Sequence, residues 1–201
     1  EWKRLDARRD AAGRLWTAAL DRRRASVLSR LAANQRGWAF GAPDPPADAV
    51  ARTVWQWTYS AIVGGAGTGK TAAIRRVADS VRRAGGRVAL AALTGRAAAV
   101  LGAGATTVHR LLGYGPWGWG ITRLPADLVI VDEASMLTWD AAAAVLEAAA
   151  GRVVFVGDPG QLPPVSGERV FAELVARLPV MRLDRNRRAP SGRRLQTIVC
   201  D

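Results

Sequence analysis

The chain has 201 residues and 49% hydrophobic residues, enough to bury one good core with a small appendage. Its formal charge is +12, and nucleic acid is the obvious polyanionic partner for such an excess. No apolar run approaches the ~20 residues that a membrane span needs, so no membrane association is expected. The charged N-terminus lacks a signal-peptide pattern, and a single cysteine, Cys200, fits a reducing cytoplasm.

The first predicted element is a basic amphipathic helical segment over residues 1–36, with a break near Asp21 as an alternative to one long helix. The apolar residues predicted on one face are Leu5, Ala12, Trp16, Ala19, Val27 and Leu31. The arginines of this segment indicate either a nucleic-acid contact or only a solvated surface, because basic runs alone are weak evidence. A Gly/Pro linker is predicted at 37–47 and a short helix at 48–57.

Beyond the linker, apolar runs alternate with helical patterns. The predicted strands are 59–63, 87–92, 128–131, 153–156 and 180–183. The predicted helices between them are 70–84, 95–102, 138–150 and 167–177. This β-α-β alternation predicts an α/β fold, with a mostly parallel sheet and helices on both faces. Ligands of such a sheet bind at the carboxyl ends of the strands.

The segment AIVGGAGTGKTAAI (61–74) follows the first strand and carries the pattern G-x-x-x-x-G-K-[ST] of a phosphate loop. The glycines let backbone amides wrap round phosphate oxygens, and the following helix adds the positive end of its dipole. Lys70 is expected to reach the β- and γ-phosphates of ATP, and Thr71 to supply a hydroxyl to Mg²⁺. A glycine-rich turn without a ligand is the alternative. The predicted phosphate-binding residues are Gly64, Gly65, Ala66, Gly67, Thr68, Gly69, Lys70 and Thr71.

Two later strands end in polar motifs. In LVIVDEASM (128–136), Asp132 is expected to hold Mg²⁺ and Glu133 to handle the attacking water. The alternative is a polar strand end at which Ser135 caps a helix. In VVFVGDPGQLPPV (153–165), Gln161 can sense the γ-phosphate and orient water.

The segment GYGPWGWG (113–120) is predicted as a loop or tight hairpin because of its glycines and proline. If the segment is extended, Trp117 and Trp119 share one side. Both rings then either stack on DNA bases or tuck back onto the sheet edge and anchor the loop. The other tryptophans that we singled out, expected to serve packing, are Trp2, Trp16, Trp55 and Trp57.

The motif order resembles that of superfamily 1 DNA helicases, and more narrowly the RecD family, over about residues 47–194. The matching segments are GGAGTGKT, ALTGRAAAVL, TTVHRLLGY, LPADLVIVDEASM, GDPGQLPPV and LDRNRR. The resemblance implies a RecA-like P-loop NTPase domain that uses ATP and Mg²⁺ and moves 5′→3′ on single-stranded DNA. It places Thr94 and Arg96 in a DNA-backbone segment and His109 in the next segment. It also places a strand-separating pin at the hairpin.

The alternative role for His109 is that of a hydrogen-bonded structural residue. In LDRNRRA (183–189), the resemblance assigns Arg188 to the γ-phosphate, where such an arginine supplies about 10³–10⁵ in rate. The sequence departs from the family pattern at Arg187, where the family has Tyr or Phe, and at Leu93, where it usually has proline. Gln56 lies too close to the phosphate loop to be the family's adenine-reading glutamine.

These motifs belong to one RecA-like domain, whereas the family has two. The predicted motor domain covers 48–184, and a basic segment at 185–201 leads toward a second domain or subunit outside the chain. The chain is therefore expected to be a fragment that is weakly active alone and acts on single-stranded DNA or a duplex junction. The alternatives are the helicase segment of a conjugative relaxase and a nucleotide-dependent DNA-binding module with little turnover.

Overall fold

The structure is a computed structural model that describes residues 2–35, 49–161 and 167–183. The helices are α1 (Trp2–Ala32), α2 (Ala49–Gln56), α3 (Lys70–Arg83), α4 (Gly95–Leu101), α5 (Val108–Leu111), α6 (Trp139–Ala148) and α7 (Val170–Val175). The strands are β1 (Tyr59–Val63), β2 (Val88–Ala92), β3 (Thr106–Thr107), β4 (Tyr114–Gly115), β5 (Gly118–Trp119), β6 (Leu128–Asp132), β7 (Arg152–Gly157) and β8 (Val180–Arg182). A 3₁₀ turn, Ala134–Met136, follows β6.

Six strands form one sheet in the order β3-β2-β6-β7-β1-β8, and every pairing in this sheet is parallel. β4 and β5 form a separate antiparallel hairpin. The α/β fold predicted from the sequence is therefore confirmed. All five predicted strands are present, whereas β3 was not predicted because two residues carry no readable period.

Alternate residues of the strands enter two cores on opposite faces of the sheet. In β6, Val129 and Val131 pack in the core that also contains residues of α1, α5, α6 and α7. Leu128 and Ile130 pack in the other core, with residues of α2, α3 and α4. Trp55 is buried in this second core, as expected of a packing residue. Burial of both strand faces explains why the strands appear in the sequence as continuous apolar runs.

Helix α1 runs through Asp21 without a break, so the alternative of two helices is wrong. Two of its predicted face residues, Val27 and Leu31, are buried in the core shared with α6. Beyond the helix, the side-chain amide of Asn34 pairs with the backbone of Tyr59, accepting from its N–H at 2.9 Å and donating to its carbonyl at 3.0 Å. The C-terminal half of α1 thus packs as part of the α/β body.

Acidic side chains anchor two arginines of α1, Arg23 and Arg24. Arg23 forms ion pairs with Asp140 at 3.1 Å and with Glu147 at 3.0 Å, both on α6. Arg24 pairs with Glu173 of α7 at 2.8 Å. These two arginines contact the protein itself, as well as adding positive charge to the N-terminal flank. In the described segments, no helix has the length and apolar character that crossing a membrane requires.

Candidate functional site

The loop between β1 and α3 depends on glycine at its turns and at its point of closest approach. Gly67 and Gly69 have φ of 78° and 91°, in the left-handed region that glycine adopts freely. The Gly64 N–H donates to the Gly157 carbonyl at 3.1 Å, which ties the start of the loop to the end of β7. A Cβ at Gly64 would lie 3.1 Å from both the Cβ and the carbonyl oxygen of Leu183, so this close approach leaves little room for a side chain.

Lys70 reaches back into the loop. Its Nζ donates to the carbonyls of Gly64 at 2.7 Å and Gly65 at 3.0 Å. Thr68 Oγ1 also donates to the Gly65 carbonyl, at 2.8 Å. α3 begins at Lys70, so its first amides and its dipole add to the positive potential of the loop. The structure therefore brings together the groups that a phosphate loop needs to bind an anion.

Asp132 lies at the carboxyl end of β6 and is only 7% exposed. Burial raises the pKa of its carboxyl group, and repulsion from Glu133 acts in the same direction. The Glu133 N–H, which donates to Oδ1 at 2.9 Å, and the charge of Lys70 lower that pKa. A bound cation would offset the free-energy cost of burying the charge of this carboxylate. The oxygens of Asp132 and Thr71 are the hard ligands that Mg²⁺ prefers, so the donor set fits magnesium.

Glu133 has a strained backbone. Its φ of 55° and ψ of 36° are left-handed, and among the described residues it is the one non-glycine residue with positive φ. Such a conformation costs about 1–3 kcal/mol and tends to occur at functional sites. The Glu133 carbonyl accepts from the Met136 N–H at 3.0 Å, which closes the 3₁₀ turn that follows.

Ser135 and Asp158 link the ends of β6 and β7. Ser135 Oγ donates to the Asp158 carbonyl at 2.9 Å and accepts from the Asp158 N–H at 3.0 Å. The same carbonyl accepts from the Gln161 N–H at 3.0 Å, which places exposed Gln161 in a turn beside β7. A cavity of about 250 Å³ adjoins this turn, lined in part by Ser135, Asp158, Gln161, Arg169 and Phe171. Sequence reasoning missed Asp158 and considered Ser135 only as a helix cap. Arg188 lies outside the described residues.

Thr94 and Arg96 follow β2, so they lie at the same edge of the sheet as the phosphate loop. Thr94 caps α4, because its Oγ1 accepts from the Ala97 N–H at 3.1 Å. Arg96 is exposed on the first turn of α4. The threonine therefore has a structural task that its residue type explains, and the arginine is open to a ligand.

The segment forms the tight hairpin that the sequence predicted rather than one extended strand, and its two tryptophans have different surroundings. Trp117 lies in the turn between β4 and β5 and is 99% exposed. Trp119 packs with its ring centroid 4.6 Å from that of Tyr114 and 5.4 Å from that of His109. Its Nε1 donates to Asp140 Oδ2 at 2.7 Å.

His109 is exposed and contacts aromatic rings. It stacks on Trp119 with an interplanar angle of 28° and meets Tyr114 edge-on, with centroids 5.2 Å apart. This position makes the histidine a support of the hairpin. Its exposed part remains accessible to a ligand, so a DNA contact stays a prediction.

A phosphate loop after an interior parallel strand, with a carboxylate at the end of a second strand, defines a P-loop nucleotide-binding protein. A family model described as "AAA domain" matches residues 47–199. The chain therefore belongs to the AAA domain family.

Three curated relatives are similar to the chain over more than half of its length. The ATP-dependent RecD2 DNA helicase of Deinococcus radiodurans is 45% identical over 132 residues, which cover 61% of this chain and 18% of the relative. The RecBCD enzyme subunit RecD of Mycolicibacterium smegmatis is 37% identical over 171 residues, 68% of this chain and 31% of the relative. The conjugal transfer protein TraA of Agrobacterium fabrum is 33% identical over 125 residues, 59% of this chain and 11% of the relative. The chain thus spans less than a third of each of these relatives.

Among solved structures, the Pif1 helicase from Candida albicans is similar with a TM-score of 0.51 and 24% identity, over 64% of this chain and 36% of that chain. This likeness supports the fold alone. The RecD matches and the family assignment confirm the predicted resemblance to RecD-like superfamily 1 helicases.

Proposed function

We propose that the chain is the ATP-hydrolysing motor domain of a RecD-like DNA helicase. The observation that carries the proposal is that Lys70, in the loop after β1, and Asp132, at the end of β6, both lie at the carboxyl edge of one parallel sheet. β7 lies between the strands that deliver them, yet the Lys70 charge lowers the pKa of the Asp132 carboxyl. A lysine ammonium and a buried carboxylate at the same edge of the sheet suit a nucleotide with its magnesium ion.

Each site residue has a role in this proposal. Lys70 meets the β- and γ-phosphates, while Thr71 and Asp132 hold Mg²⁺, which neutralises phosphate charge when bound. Glu133 orients the attacking water and accepts its proton. Gln161 contacts the γ-phosphate, and Arg188 stabilises the charge of the transition state.

DNA is proposed to bind at the carboxyl edge of the sheet and at the hairpin. Arg96, with its exposed guanidinium, and Thr94 suit the phosphate backbone, and the exposed ring of Trp117 suits a base at a duplex junction. A second RecA-like domain or subunit would complete the ATP and DNA sites. Movement 5′→3′ and a cytoplasmic location stay predictions of the resemblance and the composition.

The test combines binding and turnover. Lys70→Ala should abolish ATP·Mg²⁺ binding in calorimetry, because the loop loses its mobile positive charge, whereas the control Lys3→Ala should bind as the parent does. Glu133→Gln should bind ATP and lose hydrolysis, measured in single-turnover assays with and without single-stranded DNA. Unchanged ATP affinity in Lys70→Ala would contradict the proposal.

The similarity to TraA keeps a second candidate, the helicase segment of a conjugative relaxase. Both candidates require the same ATPase chemistry, so they are separated by the sequence that flanks these residues in the gene. A third candidate is a nucleotide-dependent DNA-binding module. It would bind ATP in calorimetry and yet leave the γ-phosphate intact in the single-turnover assay with DNA.

A further inference from the structure

Ser135 joins two neighbouring strand ends through one hydroxyl group. The hydroxyl donates to the Asp158 carbonyl and accepts from the Asp158 N–H, at 2.9 and 3.0 Å. Ser135 is 7% exposed, so water competes little for either bond. Because both backbone groups of Asp158 are engaged at once, the hydroxyl fixes the position and the orientation of this residue.

Asp158 in turn anchors the turn that presents Gln161. Its carbonyl accepts from the Gln161 N–H at 3.0 Å, as well as from Ser135. Its Oδ1 accepts from the Gly160 N–H at 3.0 Å. A displacement of the Asp158 backbone therefore moves Gln161 with it.

On the other strand, Ser135 belongs to the 3₁₀ turn that begins beside strained Glu133. A strained backbone conformation persists only when several surrounding contacts hold it in place. Three bonds do so here: Glu133 N–H to Asp132 Oδ1 at 2.9 Å, Met136 N–H to the Glu133 carbonyl at 3.0 Å, and the Ser135 bond to Asp158. Only the last of these three reaches another strand.

Packing beside the link is tight. A Cβ added to Gly157 would lie 3.0 Å from Ser135 Oγ and 2.9 Å from Phe171 Cε1. The glycine at the end of β7 therefore leaves the space that the hydroxyl and the phenyl ring occupy. This close approach keeps the Ser135 side chain next to Asp158.

We propose that Ser135 is a positioning residue for ATP hydrolysis, one that holds Glu133 and Gln161 at a fixed separation. Both residues can then contact the same γ-phosphate and its attacking water. The inference rests on the proposed ATPase function. Since Lys70 and Thr71 lie on α3, loss of the Ser135 hydroxyl should lower kcat and leave nucleotide affinity unchanged.

The main variant is Ser135→Ala, and Thr138→Ala is its matched control. Thr138 also loses a hydroxyl, one that caps α6 by accepting from the Ala141 N–H at 3.3 Å, but it links no two strands. Misplacement of a reacting group by about 1 Å costs about 100-fold, so we expect kcat of Ser135→Ala to fall roughly 10- to 100-fold. Its Kd for a non-hydrolysable ATP analogue, and kcat of Thr138→Ala, should stay within about twofold of the parent.

A double variant tests whether Ser135 acts through Gln161. In a Gln161→Ala background, Ser135→Ala should lower kcat by a smaller factor than in the parent, because the turn no longer presents the glutamine. Equal factors in the two backgrounds would overturn the proposal. So would a kcat of Ser135→Ala equal to that of Thr138→Ala.

Amide hydrogen exchange tests the link without any turnover. Ser135→Ala should speed exchange at Asp158 and Gln161 together, whereas Thr138→Ala should speed exchange at Ala141. Parent-like exchange at Gln161 in Ser135→Ala overturns the inference, whatever the ATPase result. A parent chain that binds ATP and never hydrolyses it would instead overturn the proposed function.

Discussion

Replacing Trp119 and Trp117 one at a time should separate the structural tryptophan of the hairpin from the exposed one. Trp119→Ala removes a ring that packs on Tyr114 and His109 and donates to Asp140. Trp117→Ala removes a ring that is 99% exposed. We therefore expect the first variant to lose stability and the second to keep it.

The magnitude follows from the contacts of Trp119. A hydrogen bond to a charged group contributes about 1.5–3 kcal/mol, and the partial exposure of Asp140 places this bond at the low end. Each aromatic contact adds about 0.5–1.5 kcal/mol. Trp119→Ala should therefore cost about 2.5–4.5 kcal/mol, whereas Trp117→Ala should stay within about 0.5 kcal/mol of the parent.

Urea unfolding followed by circular dichroism measures both values, because the eight tryptophans complicate fluorescence. Trp119→Phe is the matched control, since it keeps a ring on His109 and Tyr114 but loses the Nε1 donor and part of the indole ring. It should lose about 1.5–2 kcal/mol. Equal destabilisation by Trp117→Ala and Trp119→Ala, or none by either, would refute the reasoning.

The Trp117→Ala variant also tests whether the hairpin binds DNA. If the ring of Trp117 stacks on a base, Trp117→Ala should weaken binding to single-stranded or forked DNA by about 1–3 kcal/mol, roughly 5- to 150-fold. Fluorescence anisotropy with a labelled oligonucleotide measures this loss. Parent-like DNA affinity together with a lowered melting temperature would end the assignment of Trp117 to a strand junction.

Three further predictions concern charge and packing. Because burial raises the pKa of Asp132, the folded chain holds that proton more tightly than the unfolded chain, and stability falls as pH rises through the raised pKa. Asp132→Asn should therefore raise the free energy of unfolding at pH 7 in metal-free buffer, and the gain should vanish below about pH 4 in a urea series. Gly157→Ala should lower stability by about 1–3 kcal/mol in thermal melting, because its Cβ would lie 2.9 Å from Phe171 Cε1. Single-stranded DNA binding should weaken with salt, with a log–log slope of about −0.7 per phosphate contact, and an affinity independent of salt in titrations would exclude nucleic acid as the partner.

The parts of the fold that the sequence predicts are those with a local physical cause. β6 and β7 are continuous apolar runs because both of their faces are buried, and the glycines of the phosphate loop have a fixed spacing. The hairpin was also predictable as a turn, since Gly118 has a φ of 96° that its residue type permits. Lys70 and Asp132 follow from the same rules, since Lys70 ends the phosphate loop after the first predicted strand and Asp132 comes directly after the strand predicted at 128–131.

The remaining features depend on side chains that meet through tertiary packing. Trp119 and Asp140 are separated by 21 residues, and Ser135 and Asp158 by 23, so no local pattern indicates either contact. The residue type does not distinguish the two roles either, because a serine at position 135 is also an ordinary helix-capping residue. For the same reason the sequence could not show that one tryptophan of the hairpin would pack and the other would remain in solvent.

The carboxylate of Asp140 has two partners: its Oδ1 forms an ion pair with Arg23 of α1, and its Oδ2 accepts a hydrogen bond from Trp119 of the hairpin. The family match begins at residue 47, which is well after Arg23. A chain trimmed to that boundary for expression would keep every phosphate-binding motif, yet it would strip Val27 and Leu31 from the core and free one oxygen of Asp140. The boundary of the folded unit therefore lies inside α1, and the contact between Asp140 and the hairpin is complete only when that helix is retained.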